Sequence, residues 1–314
     1  MRAVRCIEGA PAVVDVPPPS GEGVRVHVAS AGICGSDLHL LQWNLPVVMG
    51  HELAGTLDDG TPVAVEPITP CGTCDACIDG DIQRCVLGPT MVFGVGRDGG
   101  MAEQCIAPES ALVRLPQGVD PRDACLVEPL AVAVHGVRRG RITGRDRVAV
   151  IGGGSIGLTA VVAARATGAA VHLAARHPHQ CEAGQRLGAT LLDRDDAAPF
   201  DVVVEAVGTA DALAEAVDRC KPGGTVVLLG TYWDGNVAMP GQALCMKEVT
   251  LVPAAMYGRV GPSRDVDVAA GLLASNPEIS RTLITHRFPL DAAADAFAAA
   301  RDRASGSIKV VLEP

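Results

Sequence analysis

Aromatic residues are scarce in this 314-residue chain: Phe, Trp and Tyr together number eight. That excludes an interior built on ring packing, so the core must come mainly from Ala, Val and Leu. Positive charge is also short, with 26 Lys and Arg against 36 Asp and Glu and a net charge of -10. This balance argues against nucleic acid or an anionic membrane as a partner, since either favours a basic face. No apolar run approaches the roughly 18 residues of a membrane span. Glu8 stands where a signal peptide would carry its apolar segment. A soluble, cytoplasmic protein is expected.

What is abundant is small and apolar. The chain is 48% hydrophobic, with 36 Gly and 22 Pro, and is long enough for two domains of an α/β protein. Eleven cysteines suit a reducing compartment only if many serve a metal. Four of them, Cys71, Cys74, Cys77 and Cys85, fall within fifteen residues, with Gly72 and Gly80 between them. Four thiols close a tetrahedral zinc site and leave no position for substrate, so the role is structural. A redox Cys-x-x-Cys is the rival, but it needs only two thiols. Cys6, Cys105, Cys125, Cys181, Cys220 and Cys245 read as small buried hydrophobes.

Residues 34–52 hold the second cluster: Cys34-Gly35-Ser36-Asp37-Leu38-His39, then Gly50-His51-Glu52. Thiol, imidazole and carboxylate are the three common zinc donors, and a catalytic zinc needs three of them plus an open position. Ser36 and His39 lie beside the proposed ligand Cys34, where a hydroxyl and an imidazole can pass a proton outward. The competing reading is a buried structural cysteine near an ordinary surface histidine.

Period-two alternation in residues 1–33 and 53–69 predicts strands of a small barrel or sandwich, with His27 on the polar side and a hairpin turn at Asp58-Asp59-Gly60. Pro121 opens a helical stretch toward Arg141 that carries Glu128, with His135 expected to pack. The strand Arg147–Ile151 runs into Gly152-Gly153-Gly154-Ser155-Ile156-Gly157, followed by an Ala-rich helix and the strand 170–175. In such a βαβ unit the glycines permit the tight turn and the approach of a pyrophosphate to the helix N-terminus. An NAD site usually places Asp or Glu at the end of the second strand. Here the chain has Ala174-Ala175-Arg176-His177-Pro178-His179. An arginine without a nearby acid favours a 2′-phosphate, hence NADP(H) over NAD(H), with His177 assisting; the bland alternative is a solvated loop charge. Alternating strands and helices continue to Val249–Pro253, read as an edge strand.

In the order of these motifs, from Cys34 through Glu128-Pro129-Leu130 to Gly157, the chain resembles the zinc-dependent medium-chain alcohol dehydrogenases. The polyol (sorbitol-like) and threonine dehydrogenase branch is the nearest. The resemblance implies a GroES-like β-rich catalytic domain (1–129 and 279–314, with the zinc lobe 71–85) and a doubly wound Rossmann domain (130–278). It implies a catalytic zinc on Cys34, His51 and Glu52, with Glu128 binding the metal or holding its water, besides the structural zinc. It also implies a proton relay from Ser36 toward His39, Asp37 in support, and the dinucleotide on Gly152, Gly154, Ser155, Ile156 and Gly157. A secondary alcohol or polyol, or its ketone, is the implied substrate, and a homodimer or homotetramer formed through the Val249–Pro253 edge the implied assembly. The Cys34–His51 and Glu52–Cys71 intervals are shorter than the family's, so the pocket is expected to be more open or shaped for a bulkier substrate. Two alternatives stand beside this reading: a zinc-independent quinone or enoyl reductase of the same superfamily, and a non-catalytic NADPH-binding protein.

Overall fold

The computed structural model describes residues 1–193, 198–233 and 235–314. Contacts divide the chain into two compact units, Met1–Glu128 with Gly258–Pro314, and Pro129–Tyr257.

The first unit begins with the hairpin β1 (Arg2–Ile7) and β2 (Ala10–Asp15), followed by β3 (Val24–Ile33) and the short helix α1 (Gly35–Leu40). Next come β4 (Glu52–Thr56), β5 (Pro62–Val65), the one-turn α2 (Asp75–Ile78), β6 (Gln104–Ala107) and β7 (Leu112–Arg114). Helix α3 (Val127–Arg139) leads into the second unit. That unit alternates β8 (Arg147–Ile151), α4 (Ser155–Ala166), β9 (Ala170–Ala174), α5 (Pro178–Arg186) and β10 (Thr190–Leu191). It continues with β11 (Phe200–Glu205), α6 (Ala210–Arg219), β12 (Cys220–Leu228), α7 (Gly241–Lys247) and β13 (Thr250–Pro253). The chain returns to the first unit through the hairpin β14 (Arg259–Val260) and β15 (Ser263–Arg264) and the helices α8 (Asp265–Ser275) and α9 (Glu278–Leu283). It closes with β16 (Ile284–Pro289), α10 (Ala293–Arg301) and β17 (Lys309–Glu313).

In the first unit, β16, β17, β3, β4, β5 and β7 are neighbours in that order, and β6 also pairs with β3. Its inner face buries Val26, Val28, Ile33, Leu53, Val63 and Leu312, mostly aliphatic as the aromatic shortage requires. His27 points outward and pairs with Asp58 at 2.8 Å, and Gly60, at φ 83°, turns the β4–β5 hairpin. In the second unit the sheet order is β10-β9-β8-β11-β12-β13, all parallel. The order reverses between β8 and β11, so the carboxyl ends of those two strands form the switch point where such sheets bind ligands. Among the described residues, no helix is long and apolar enough to cross a membrane.

Three expectations need correction. The chain re-enters the first unit at Gly258, not at 279. The cause is hydrogen bonding that the helical pattern of α8 does not reveal: Arg259 N–H donates to Gly80 O, and Arg264 donates to Ser110 O and Leu112 O. The helical stretch opening at Pro121 becomes regular only at Val127, after a 3₁₀ turn at Ala124–Leu126. Cys245 is exposed on α7 and Cys181 half-buried, whereas Cys6, Cys105, Cys125 and Cys220 are buried as expected.

Candidate active site and metal centres

Cys34 ends the β3 segment in extended geometry (φ -85°, ψ 154°) just before α1. Asp37, in the first turn of that helix, folds back so that Cys34 N–H donates to its Oδ2 at 2.9 Å. Its other oxygen lies 3.5 Å from His51 Nδ1. The opposite ring nitrogen, Nε2, lies 3.4 Å from Ser36 Oγ. The donor atoms of Cys34, His51 and Glu52 all lie within 4.8 Å of one another. Glu128, nine-tenths buried at the start of α3, lies outside that trio.

Glu52 is fully buried and meets Lys309, whose Nζ donates to both carboxylate oxygens at 2.7 and 2.6 Å and to Ile33 O at 3.1 Å. Strand order explains the meeting. β17 and β4 flank β3, with Val310 opposite Ile33 and Glu52 opposite Gly32. Gly32 is needed there: a Cβ on it would stand 2.1 Å from Glu52 Oε2. The spacing of motifs cannot reveal Lys309, which lies 257 residues from its partner. Its only sign in the sequence is a lone lysine inside an apolar strand.

Burial and neighbouring charge shift the ionisable groups of this pocket. Burial disfavours charge on His51, yet Asp37, Cys34 and Glu128 outweigh it and hold the imidazole well above its ordinary value. Burial raises Asp37, against His51 and the Cys34 N–H. Burial, with Glu52 and Asp37 adding, brings Glu128 up to about 7. Asp37 Oδ1 and His51 Nδ1 are buried without a hydrogen-bond partner among the described residues. Thiol plus imidazole plus carboxylate is a zinc donor set, and the three donor atoms lie close enough to share one ion.

The lobe cysteines converge as well. Cys71 and Cys77 sulfurs lie 3.9 Å apart and Cys74 and Cys77 sulfurs 3.4 Å apart, and Cys85 joins them within 4.8 Å. Tetrahedral zinc with Zn–S near 2.3 Å places sulfurs about 3.8 Å apart, so the residues fit the ion. Gly72 (φ 76°) and Gly80 (φ 87°) adopt the left-handed conformation that the winding needs. N–H groups of Thr73 and Cys74 bring the Cys71 thiol down to about 6, which favours the thiolate that metals bind.

In the second unit, the turn after β8 fits a dinucleotide. Gly152 has φ 115°. A Cβ on Gly157 would stand 1.8 Å from Gly152 O, so only glycine allows α4 to start so close to the strand. A Cβ on Gly154 would meet nothing within 4 Å, leaving an open approach to the N-terminus of α4, where Ser155 and Ile156 sit. Ser155 Oγ is buried without a partner among the described residues. Arg176 is exposed just beyond β9, and the His177 and His179 rings stack 5.5 Å apart at the start of α5.

A thiol–imidazole–carboxylate cluster together with a dinucleotide turn is the equipment of a metal-dependent dehydrogenase. Comparison with known proteins gives the family. The alcohol dehydrogenase GroES-like domain matches residues 20–117 and the glucose dehydrogenase C-terminus matches residues 122–313. L-Galactonate-5-dehydrogenase of Escherichia coli (strain K12) is 31% identical over 90% of this chain and 89% of its own. A Sinorhizobium meliloti 1021 protein solved bound to NADP superposes with a TM-score of 0.87 at 30% identity, covering 100% of this chain and 99% of that one. A short chain alcohol dehydrogenase of E. coli CFT073 complexed with NADH gives 0.85 at 27% identity, covering 100% and 99%. The chain belongs to the zinc-type medium-chain alcohol dehydrogenase family, in its polyol branch. It is an oxidoreductase of alcohols.

Proposed function

We propose that the protein oxidises a secondary alcohol or polyol, or reduces the matching ketone, with NADP(H) as hydride partner and two zinc ions per chain. The observation that carries this reading is the convergence of Cys34, His51 and Glu52 in one buried pocket. Cys34 and His51 hold the catalytic metal, and Asp37 orients the imidazole through Nδ1. Glu52 can share its carboxylate, because its oxygens offer about four lone-pair sites and Lys309 uses only some of them. Glu128 would complete the set from α3, as a ligand or by holding water beside the ion. Cys71, Cys74, Cys77 and Cys85 hold the structural ion.

When bound, zinc supplies Lewis acidity at the substrate hydroxyl and the nicotinamide accepts hydride. Ser36 takes the hydroxyl proton and His39, half-buried at the far end of α1, carries it toward solvent. The glycines of 152–157 admit the pyrophosphate, and Arg176 binds the 2′-phosphate with His177 beside it. The absence of an acid at the end of β9 supports NADP(H). The shortened loops around the metal pocket support an open or bulky-substrate site, with the relatives' sugar-acid and polyol substrates as the starting classes. Eleven unpaired thiols support a reducing cytoplasm. The edge position of β13 supports a homodimer or homotetramer that continues the sheet into a second copy.

The test is reduced-nicotinamide formation by zinc-replete protein across secondary alcohols, polyols, sugar acids and amino alcohols, with NADP⁺ and NAD⁺ in parallel. Turnover with NADP⁺ preferred is expected. Preference for NAD⁺ would overturn the Arg176 assignment, and turnover that survives complete zinc removal would overturn the metal assignment.

A further inference from the structure

Among the described residues of the second unit, Glu205 is the one buried carboxylate, and it is fully buried. It is the last residue of β11, opposite Ile151 of β8 and Leu228 of β12, and so stands at the switch point itself. One oxygen, Oε1, accepts from the N–H groups of Val207 at 2.7 Å and Gly208 at 2.8 Å. The other accepts from the Tyr232 hydroxyl at 2.9 Å, in the loop that follows β12. Burial, with Glu205 adding, pushes that phenol up, so it remains a donor. The loops after β11 and β12 are thus tied to one buried group, and they pack tightly: a Cβ on Gly230 would stand 2.2 Å from Gly208 N and 2.6 Å from Glu205 Oε2.

The tie controls one side chain at the cofactor turn. Val207 is 42% exposed. A Cβ on Gly152 would stand 2.8 Å from Val207 Cγ2. The Val207 methyl groups therefore form a wall directly beside the glycine turn.

We propose that Glu205 is a positioning residue for the dinucleotide: with Tyr232 it holds the Val207–Gly208 turn so that Val207 walls the cleft at Gly152. This rests on the dinucleotide reading of the 152–157 turn. A carboxylate suits the task because a single Oε1 accepts two adjacent N–H groups while Oε2 reaches across to the next loop. An alanine there would leave both part-buried N–H groups without this partner and free the turn to move.

The experiment is calorimetric titration of zinc-replete full-length protein with NADP⁺ and NAD⁺, with melting temperature measured on each variant. Wild type binding neither dinucleotide would overturn the cofactor reading and this proposal with it. Given wild-type binding, Glu205→Ala is expected to weaken the preferred dinucleotide at least tenfold. Glu205→Gln keeps an oxygen for the two N–H groups and lets the Tyr232 hydroxyl turn to accept, so it should restore affinity to within twofold of wild type. Tyr232→Phe should weaken binding about threefold in wild type and have no further effect in Glu205→Ala. A Glu205→Ala protein that melts lower yet binds with wild-type affinity has lost only structure, which overturns the proposal. If Glu205→Ala does not fold, Tyr232→Phe decides: weaker binding supports the proposal and unchanged binding overturns it.

Discussion

Lys309 Nζ bridges both carboxylate oxygens of Glu52, at 2.7 and 2.6 Å, in a place where neither side chain has more than 2% exposure. Burial alone would strip the lysine of its proton, but Glu52 and Cys34 outweigh it and raise its pKa. An ion pair this deep gives little net stability over a well-packed apolar pair, whereas removing one partner strands the other charge. Lys309→Met should therefore destabilise the protein by about 3–5 kcal/mol. Adding Glu52→Gln should recover most of that loss. Denaturant unfolding of the two variants checks the expectation; a single variant as stable as wild type would contradict it.

The structural lobe should be separable from the chemistry. Cys77→Ser is expected to lose one zinc equivalent and to melt lower, since metal binding at such a lobe contributes directly to folding. A loss of a few kcal/mol corresponds to roughly 5–10 °C for a unit of this size. Elemental analysis and a thermal scan on the same sample decide it. Retention of full zinc content would contradict the four-thiol assignment.

Arg176 carries the cofactor preference. Charge-assisted bonds of this type are worth about 1.5–3 kcal/mol, so Arg176→Ala should raise the KM for NADP⁺ by roughly ten- to a hundredfold and leave NAD⁺ little changed. Arg176→Asp should move the preference toward NAD⁺ by supplying the missing acid. An unchanged ratio of the two kcat/KM values in Arg176→Ala would show that the guanidinium is only a solvated charge.

Glu66, which belongs to neither donor set, makes a pH prediction. Its Oε2 lies 3.4 Å from Arg264, and its Oε1 has no partner among the described residues. Burial pushes the carboxyl from 4.5 up to about 7, with Arg264 and Arg259 opposing. The folded chain thus keeps a proton that the unfolded chain releases between those values. Stability from this group is complete below the lower value and declines as pH rises through the upper one. At 1.36 kcal/mol per unit the loss is at most about 3 kcal/mol. Glu66→Gln should melt higher than wild type at pH 8 and match it near pH 5. Parallel pH profiles for the two proteins would contradict the assignment.

Legibility in the sequence follows the range of the interaction. The βαβ turn was readable because Gly152, Gly154 and Gly157 act on one another within six residues, and the Cys71–Cys85 lobe because four donors share one loop. His51 and Glu52 were readable only as a residue pattern; their approach to Cys34 depends on the fold. Lys309 was not readable, because its partner lies two strands away in the sheet and 257 residues away in the chain. Glu205 is an ordinary strand end in the sequence, because its partner Tyr232 lies 27 residues further on. Helix α5 has no counterpart among the elements read from the sequence; Pro178 opens it, and proline at the first turn of a helix is well tolerated. The re-entry at Gly258 is not legible either, because α8 continues the helical rhythm of the second unit while its contacts lie in the first.

The central claim is that Cys34 and its neighbours hold a zinc ion on which turnover depends. The most direct measurement is zinc content and dehydrogenase activity of wild type and Cys34→Ser, prepared side by side. The account predicts two zinc ions per wild-type chain and one in the variant, with kcat/KM reduced at least a thousandfold and the fold intact by circular dichroism. Two zinc ions in the variant, or activity within tenfold of wild type, would contradict it.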